Sequence, residues 1–137
     1  MVFKNQAESA SLLSARIQAE IPSEYLLCYI NPEAQGYADL IAKQLETQAF
    51  DLSKSIGHLP QANAILIIDT GDTRAAEYSE YSDLIRRTFP ETKIIIAVPV
   101  VPQSEEATFK TNCDSLLTLH VEPLFFSMSQ FYPQTQS

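Results

Sequence analysis

The chain has 137 residues, 45% hydrophobic and 19% charged, with 17 acidic side chains against 9 Lys and Arg and a formal net charge of −8. That length and composition fit one folded domain, 1–137, with a sizeable core, while the acidic balance argues against nucleic acid, whose affinity comes from cationic groups near phosphates. No apolar run approaches the roughly 18–20 residues that cross a bilayer, and the first residues lack the apolar stretch of a signal peptide. The expectation is therefore a cytoplasmic protein with no membrane contact.

Residues Gln6–Glu20 place Ala7, Ala10, Leu13 and Ile17 on one helical face, and Pro22 ends that helix. The run 25–30, Tyr-Leu-Leu-Cys-Tyr-Ile, is apolar without polar alternation, as in a strand covered on both faces. A turn at 31–36 opens a second helix with Pro32 at its first position; Tyr37, Leu40, Ile41 and Leu45 carry its core face to about residue 48. A short strand at 49–52 and a loop at 53–63 follow.

Ala64–Ile68 is a fully apolar strand that stops at Asp69. Residues 77–88 read as a helix, with Tyr78, Tyr81, Leu84 and Ile85 packing inward and Arg86 and Arg87 at the C-terminal end, where cations suit the dipole. Pro90 stops it, and 93–98 is another buried strand, followed by Pro99 and Pro102. Ser104 caps a short helix with early acids, residues 115–119 form a last strand, and Phe125, Phe126, Phe131 and Tyr132 cover one end of the sheet. Alternating strand and helix patterns give an α/β class, a parallel sheet with flanking helices. Cys28 and Cys113 sit in apolar runs as free thiols, and His58 and His120 are isolated.

In open parallel sheets ligands bind at the carboxyl ends of strands, and a Thr/Gly turn into a helix N-terminus suits an anion. Asp69, Thr70, Gly71, Asp72, Thr73 and Arg74 are therefore the candidate ligand site. Asp69 and Asp72, three residues apart, either converge on a magnesium ion or cap amides, Asp69 in its own turn and Asp72 in the helix that follows. Arg74 pairs with a phosphate or with Asp72 or Glu77, and Lys54 is a solvated loop lysine.

The order of elements, with Phe3-Lys-Asn-Gln-Ala-Glu-Ser-Ala10, Leu26-Leu-Cys-Tyr-Ile-Asn-Pro-Glu-Ala-Gln-Gly-Tyr-Ala38, Ile94-Ile-Ile-Ala-Val-Pro-Val-Val-Pro102 and Gln130-Phe-Tyr132, resembles the type I phosphoribosyltransferases, a bacterial group of them in particular. The resemblance implies a phosphoribosyltransferase-type sheet with a reduced hood, phosphoribosyl diphosphate or a nucleotide as ligand, magnesium as the cofactor of an active enzyme, a place in nucleotide metabolism, and a homodimer. It makes Asp69 the first of two acids on the ribose hydroxyls and the loop through Thr73 a 5-phosphate cradle. Asn31, Glu33, Gln35 and Gly36 would form the facing, pyrophosphate-side turn.

Three departures follow from the same resemblance. One acid of the pair is absent, whether Thr70 replaces it or about four residues are deleted before Thr70. Asp72 brings a carboxylate to the phosphate position, where like charges at about 4 Å repel by about 4 kcal/mol at an effective dielectric of 20, and Glu33 does the same on the pyrophosphate side. The loop 53–63 is too short for a lid that closes over substrate. The favoured expectation is a protein that has lost transfer and acts by binding a partner or a regulatory nucleotide. The alternative is a small active transferase using Asp69, Thr70, Gly71 and Thr73 with magnesium.

Overall fold

The computed structural model describes residues 2–21, 24–60 and 62–132. Strands β1 (Tyr25–Tyr29), β2 (Ala49–Asp51), β3 (Ala64–Ile68), β4 (Lys93–Pro102) and β5 (Ser115–Glu122) form one parallel sheet in the order β2-β1-β3-β4-β5. The helices are α1 (Gln6–Glu20), α2 (Gln35–Gln44), α3 (Leu52–Ser55), α4 (Tyr78–Thr88) and α5 (Glu106–Thr111). Alternate strand residues feed two cores. Leu27, Leu66, Ile68 and Ala97 meet Leu13 and Ile17 of α1 and Tyr37 and Ile41 of α2. Cys28, Ile65, Ile67 and Ile96 meet Leu52, Tyr78, Ile85 and Phe109 on the other face. Coverage on both sides is why β3 reads as an unbroken apolar run.

This strand order reverses between β1 and β3, and such a reversal opens a crevice at the carboxyl ends of the two strands. The turn after β1 begins at Asn31 and the turn after β3 at Asp69, so both candidate segments lie at that point.

Several local expectations need correction. The α1 stripe comprises Ser9, Ala10, Leu13, Ser14 and Ile17, while Ala7 is exposed on the half-buried margin of that face. Pro22 lies outside the described residues; the helix closes at Ile21, whose N–H donates to the Ile17 carbonyl. In α2 the buried face is Tyr37, Ala38, Ile41 and Ala42, and Leu40 is 37% exposed. That helix stops at Gln44, short of residue 48, because the chain turns through Glu46 at φ 57. The segment read as a loop from residue 53 starts with α3, capped by Asp51, which accepts the Ser53 N–H at 3.0 Å. Ser104 caps nothing: it lies in a 3-10 turn, Gln103–Glu105, that has no side-chain cap.

The prolines do not stop β4. Its register with β3 ends at Ile68↔Ala97, with the Asp69 N–H still reaching the Ala97 carbonyl at 3.2 Å, so Pro99 lies past the last partner and its missing donor costs no bond there. Pairing with β5 continues to Pro102↔Glu122 but skips Pro99. Val98 and Val101 share one core while Val100 lies in another, so the alternation slips by one residue at the proline. This extension carries β5 beyond Leu119, where the sequence pattern ended it.

The tail folds back as a 3-10 turn, Met128–Phe131, and buries Met128 and Phe131 against Phe3 and Val100. Phe125 and Tyr132 are half-buried, but Phe126 is 84% exposed and covers nothing in this chain. Cys28 and Cys113 are buried and unpaired, and burial pushes their thiols up to about 12 and about 11, so neither is a thiolate at neutral pH. Among the described residues no helix is long and apolar enough to cross a membrane.

The difference between Leu66 at 0% exposure and Leu40 at 37% sets a test of this packing. Leu66→Ala should lower unfolding free energy by about 2–5 kcal/mol, and Leu40→Ala by no more than about 0.5 kcal/mol, both read from urea denaturation.

Candidate functional site

Asp69 ends β3 and folds its carboxylate back over the following turn. Its Oδ2 accepts the N–H of Gly71 at 2.8 Å and of Thr73 at 3.1 Å, and its Oδ1 accepts the Thr73 hydroxyl at 2.6 Å. An aspartate readily closes a turn of this kind by accepting amides a few residues ahead. Gly71 takes φ 107, and a Cβ there would lie 2.5 Å from Met128 Sδ, so both backbone conformation and the overlying tail require glycine. Asp69 is only 1% exposed. Burial raises its pKa; the Thr73 hydroxyl and the Gly71 and Thr73 amides pull it back, and the charge on Asp72 pushes it further up.

The remaining amides of the turn are also taken. The Asp72 N–H reaches Thr70 Oγ1 at 3.4 Å, the Arg74 N–H reaches Glu77 Oε2 at 2.8 Å, and the Ala75 N–H reaches Glu105 Oε1 at 2.8 Å. Glu105 comes from the connection between β4 and α5, and its second oxygen lies 3.1 Å from Arg74 Nε. Every amide from Gly71 to Ala75 therefore has a partner within the chain, and only the partner of Asp72 is not a carboxylate. A helix N-terminus attracts anions because its first N–H groups lack internal partners; here the anions are side chains.

Two expectations change. Asp72 does not cap the helix: it is exposed and accepts the Thr70 hydroxyl at 3.1 Å, while the helical segment begins with a 3-10 turn, Ala75–Glu77, closed by Glu77. Arg74 pairs with Glu105 rather than with Asp72 or Glu77. Its side chain is 75% exposed, so this pair holds Glu105 in place more than it adds stability. Lys54 is exposed and 3.9 Å from Asp51.

Across the crevice, Asn31 ties the two turns together. Its Oδ1 accepts the Glu33 N–H at 3.0 Å and its Nδ2 donates to Thr73 Oγ1 at 3.3 Å. Glu33, Gln35 and Gly36 are exposed, and none makes a side-chain hydrogen bond to residues 69–74. Beneath the loop, Tyr78 is fully buried; burial raises its pKa well above the usual value, the Asp69 charge adds to the effect, and the Thr73 hydroxyl opposes it. Ser9 Oγ lies 3.0 Å from Tyr37 OH and 2.9 Å from Tyr132 OH, which fastens the tail to α1. His120, isolated in sequence, pairs with Glu122 at 3.0 Å, and His58 is exposed.

The residues supply no ready-made protein cage for a magnesium ion. Both Asp69 oxygens are committed to protein donors, and among the described residues no three His, Cys, Asp or Glu side chains converge as ligands. An open depression of about 720 Å³, lined by Ile21, Ala64, Lys93, Ile95 and Leu117 among others, lies at the amino ends of the strands, away from the loop. The sequence pattern pointed to Glu77 only as an ion-pair partner of Arg74, not as the acceptor of its amide, and gave no role at the site to Glu105 or Met128. Glu77 supplies only half of a capping box, since the first position is Arg74 rather than Ser or Thr, and nothing local links Glu105 to Ala75 across the intervening strand.

Comparison with solved structures identifies the same architecture. TT1426 from Thermus thermophilus is 14% identical, with a TM-score of 0.70 over 96% of this chain and 90% of that one. Orotate phosphoribosyltransferase from Aeropyrum pernix gives 0.62 at 11% identity, over 85% and 72% of the two chains. Xanthine-guanine-hypoxanthine phosphoribosyltransferase from Helicobacter pylori gives 0.60 at 12%, over 80% and 78%. No protein-family model matches the chain, and no curated protein matches it by sequence. At these identities the likeness is one of fold: the chain has the type I phosphoribosyltransferase-type α/β fold that its motifs led one to expect.

Two outcomes test the loop. Gly71→Ala should destabilise by about 1–3 kcal/mol, through the positive φ and the Met128 contact, in a thermal or urea melt. Because Asp69 has a folded pKa above its unfolded one, its stabilising contribution is complete below the unfolded pKa and lost as pH rises through the folded value. The stability of the wild type relative to Asp69→Asn should therefore fall as pH rises from the ordinary carboxylate range; parallel pH profiles would contradict the raised pKa.

Proposed function

We propose that this chain is a phosphoribosyltransferase-fold protein that acts by binding, as a regulatory or partner-recognition module in the cytoplasm, and does not transfer phosphoribosyl groups. One observation carries the reading: the amides from Gly71 to Ala75 are already bonded to Asp69, Thr70, Glu77 and Glu105. A 5-phosphate seated on this turn has to displace charge-assisted hydrogen bonds, each worth about 1.5–3 kcal/mol. It also has to approach the exposed carboxylates of Asp72 and Glu33. The connection between β2 and β3 holds a single turn of helix, which supports the expectation of a site without a closing lid.

The second reading is an active transferase in which magnesium and substrate reorganise the turn around Asp69, Thr70, Gly71 and Thr73. Its support is the shared fold, two of whose solved examples carry phosphoribosyltransferase in their names.

Isothermal titration calorimetry with magnesium phosphoribosyl diphosphate separates the two. The binding reading expects no saturable heat and no pyrophosphate release with a panel of nucleobases. Saturable binding that weakens in Asp69→Asn, accompanied by pyrophosphate release, would establish the transferase.

A further inference from the structure

The exposure left in the first core collects at one place. Ile21, Ala64, Ile95 and Leu117 are between 5% and 9% exposed, whereas Ile17, Leu66 and Ala97, one step deeper along the same elements, are at 0%. All four floor the open depression of about 720 Å³ at the amino ends of β3, β4 and β5, just past the last turn of α1. Small-molecule sites hold roughly 300–1,000 Å³ and combine an apolar lining with a few placed polar groups.

The polar groups at this mouth are Glu20, Glu91, Lys93 and Ser115, all exposed. Glu20 is matched by Arg16, which also donates to the Thr118 carbonyl at 3.2 Å. Among the described residues, Glu91 and Lys93 form no ion pair with each other or with any neighbour, although they stand two residues apart. One uncompensated carboxylate and one uncompensated ammonium thus face water above an apolar floor. The last turn of α1 carries no basic residue, so its terminal carbonyls add negative potential on the Glu20 side. The backbone beneath is fixed, with the Lys93 N–H on the Asn63 carbonyl at 3.0 Å and the Ile94 N–H on the Asp114 carboxylate at 2.8 Å.

We infer that this depression binds a free α-amino acid with a large apolar side chain. Its carboxylate pairs with Lys93, its ammonium with Glu91 and the α1 C-terminus, and its side chain covers Ile21, Ala64, Ile95 and Leu117. A zwitterion answers both unmatched charges, whereas an apolar amine or an apolar acid leaves one of them alone. Exposed ion pairs contribute little, so the affinity is in the millimolar range. This inference stands apart from the proposed function, because β3 separates the depression from Asp69 by about 16 Å at about 3.3 Å per residue. Calorimetry with phosphoribosyl diphosphate, whatever its result, leaves it untouched.

Amide chemical-shift mapping by NMR on the full chain is the test. L-Leucine and L-phenylalanine should each give saturable shifts at Ile21, Ala64, Ile95 and Leu117, and none at Gly71 or Thr73. Glycine lacks the apolar side chain, isopentylamine is leucine without its carboxylate, and isocaproate is leucine without its amine; each should bind about fivefold more weakly or not at all. Lys93→Met and Glu91→Gln should each raise the dissociation constant for L-leucine by about fivefold. Both variants should keep the wild-type melting temperature, since both side chains are exposed. The proposal is overturned by the lack of saturable shifts with both amino acids up to their solubility limits, or by shifts centred away from the four floor residues. Equal affinity for isopentylamine or isocaproate, or variants that bind L-leucine like the wild type, would overturn it as well.

Discussion

A carboxylate removed from water has to be answered by donors close at hand, and the turn after β3 is organised by the way Asp69 obtains them. The two oxygens gather two amides and a hydroxyl from the next four residues. That gathering bends the chain through Gly71, sets Thr73 against Asn31 from the neighbouring turn, and delivers the chain to the N-terminal end of α4. Glu105 then arrives from the far side of β4 and closes the remaining amide at Ala75. The arrangement is self-consistent, because the carboxylates of Asp69, Glu77 and Glu105, which would repel an anionic ligand, are at the same time hydrogen-bond acceptors for the backbone of the turn.

A fold that suits phosphate binding and a turn that satisfies itself are not in conflict. The doubly wound sheet creates a crevice wherever the strand order reverses, whatever the residues around it. What the crevice accepts depends on the side chains, and here they bring Asp72 and Glu33 to the rim. Architecture and chemistry therefore point in different directions, which is why the shared fold alone says little about activity.

Much of the architecture could be read directly from the residues. Buried parallel strands declare themselves as unbroken apolar runs, and β1, β3 and β4 all did. Errors clustered where one local rule met a longer-range fact. Proline at 99 looks like a terminator until one knows that the neighbouring strand has already ended. Leu40 fits a helical stripe, but α2 rests on the sheet through Tyr37 and Ile41, slightly to one side. In the candidate site, the capping role of Asp69 was legible from its position before a Thr/Gly turn. The contribution of Glu105 was not, because its partner lies thirty residues away and no periodicity encodes that pairing.

The slip at Pro99 has a consequence for the ends of the chain. Past that residue β4 and β5 run on together after β3 has stopped, forming a ledge that overhangs the rest of the sheet. Phe3, ahead of α1, and Phe131, near the other terminus, both settle on Val100 at this ledge, and the Phe3 amide donates to the Phe131 carbonyl at 2.7 Å. The segment ahead of α1 and the 3-10 turn after β5 thus share one resting place, and removing either of them loosens the seat of the other.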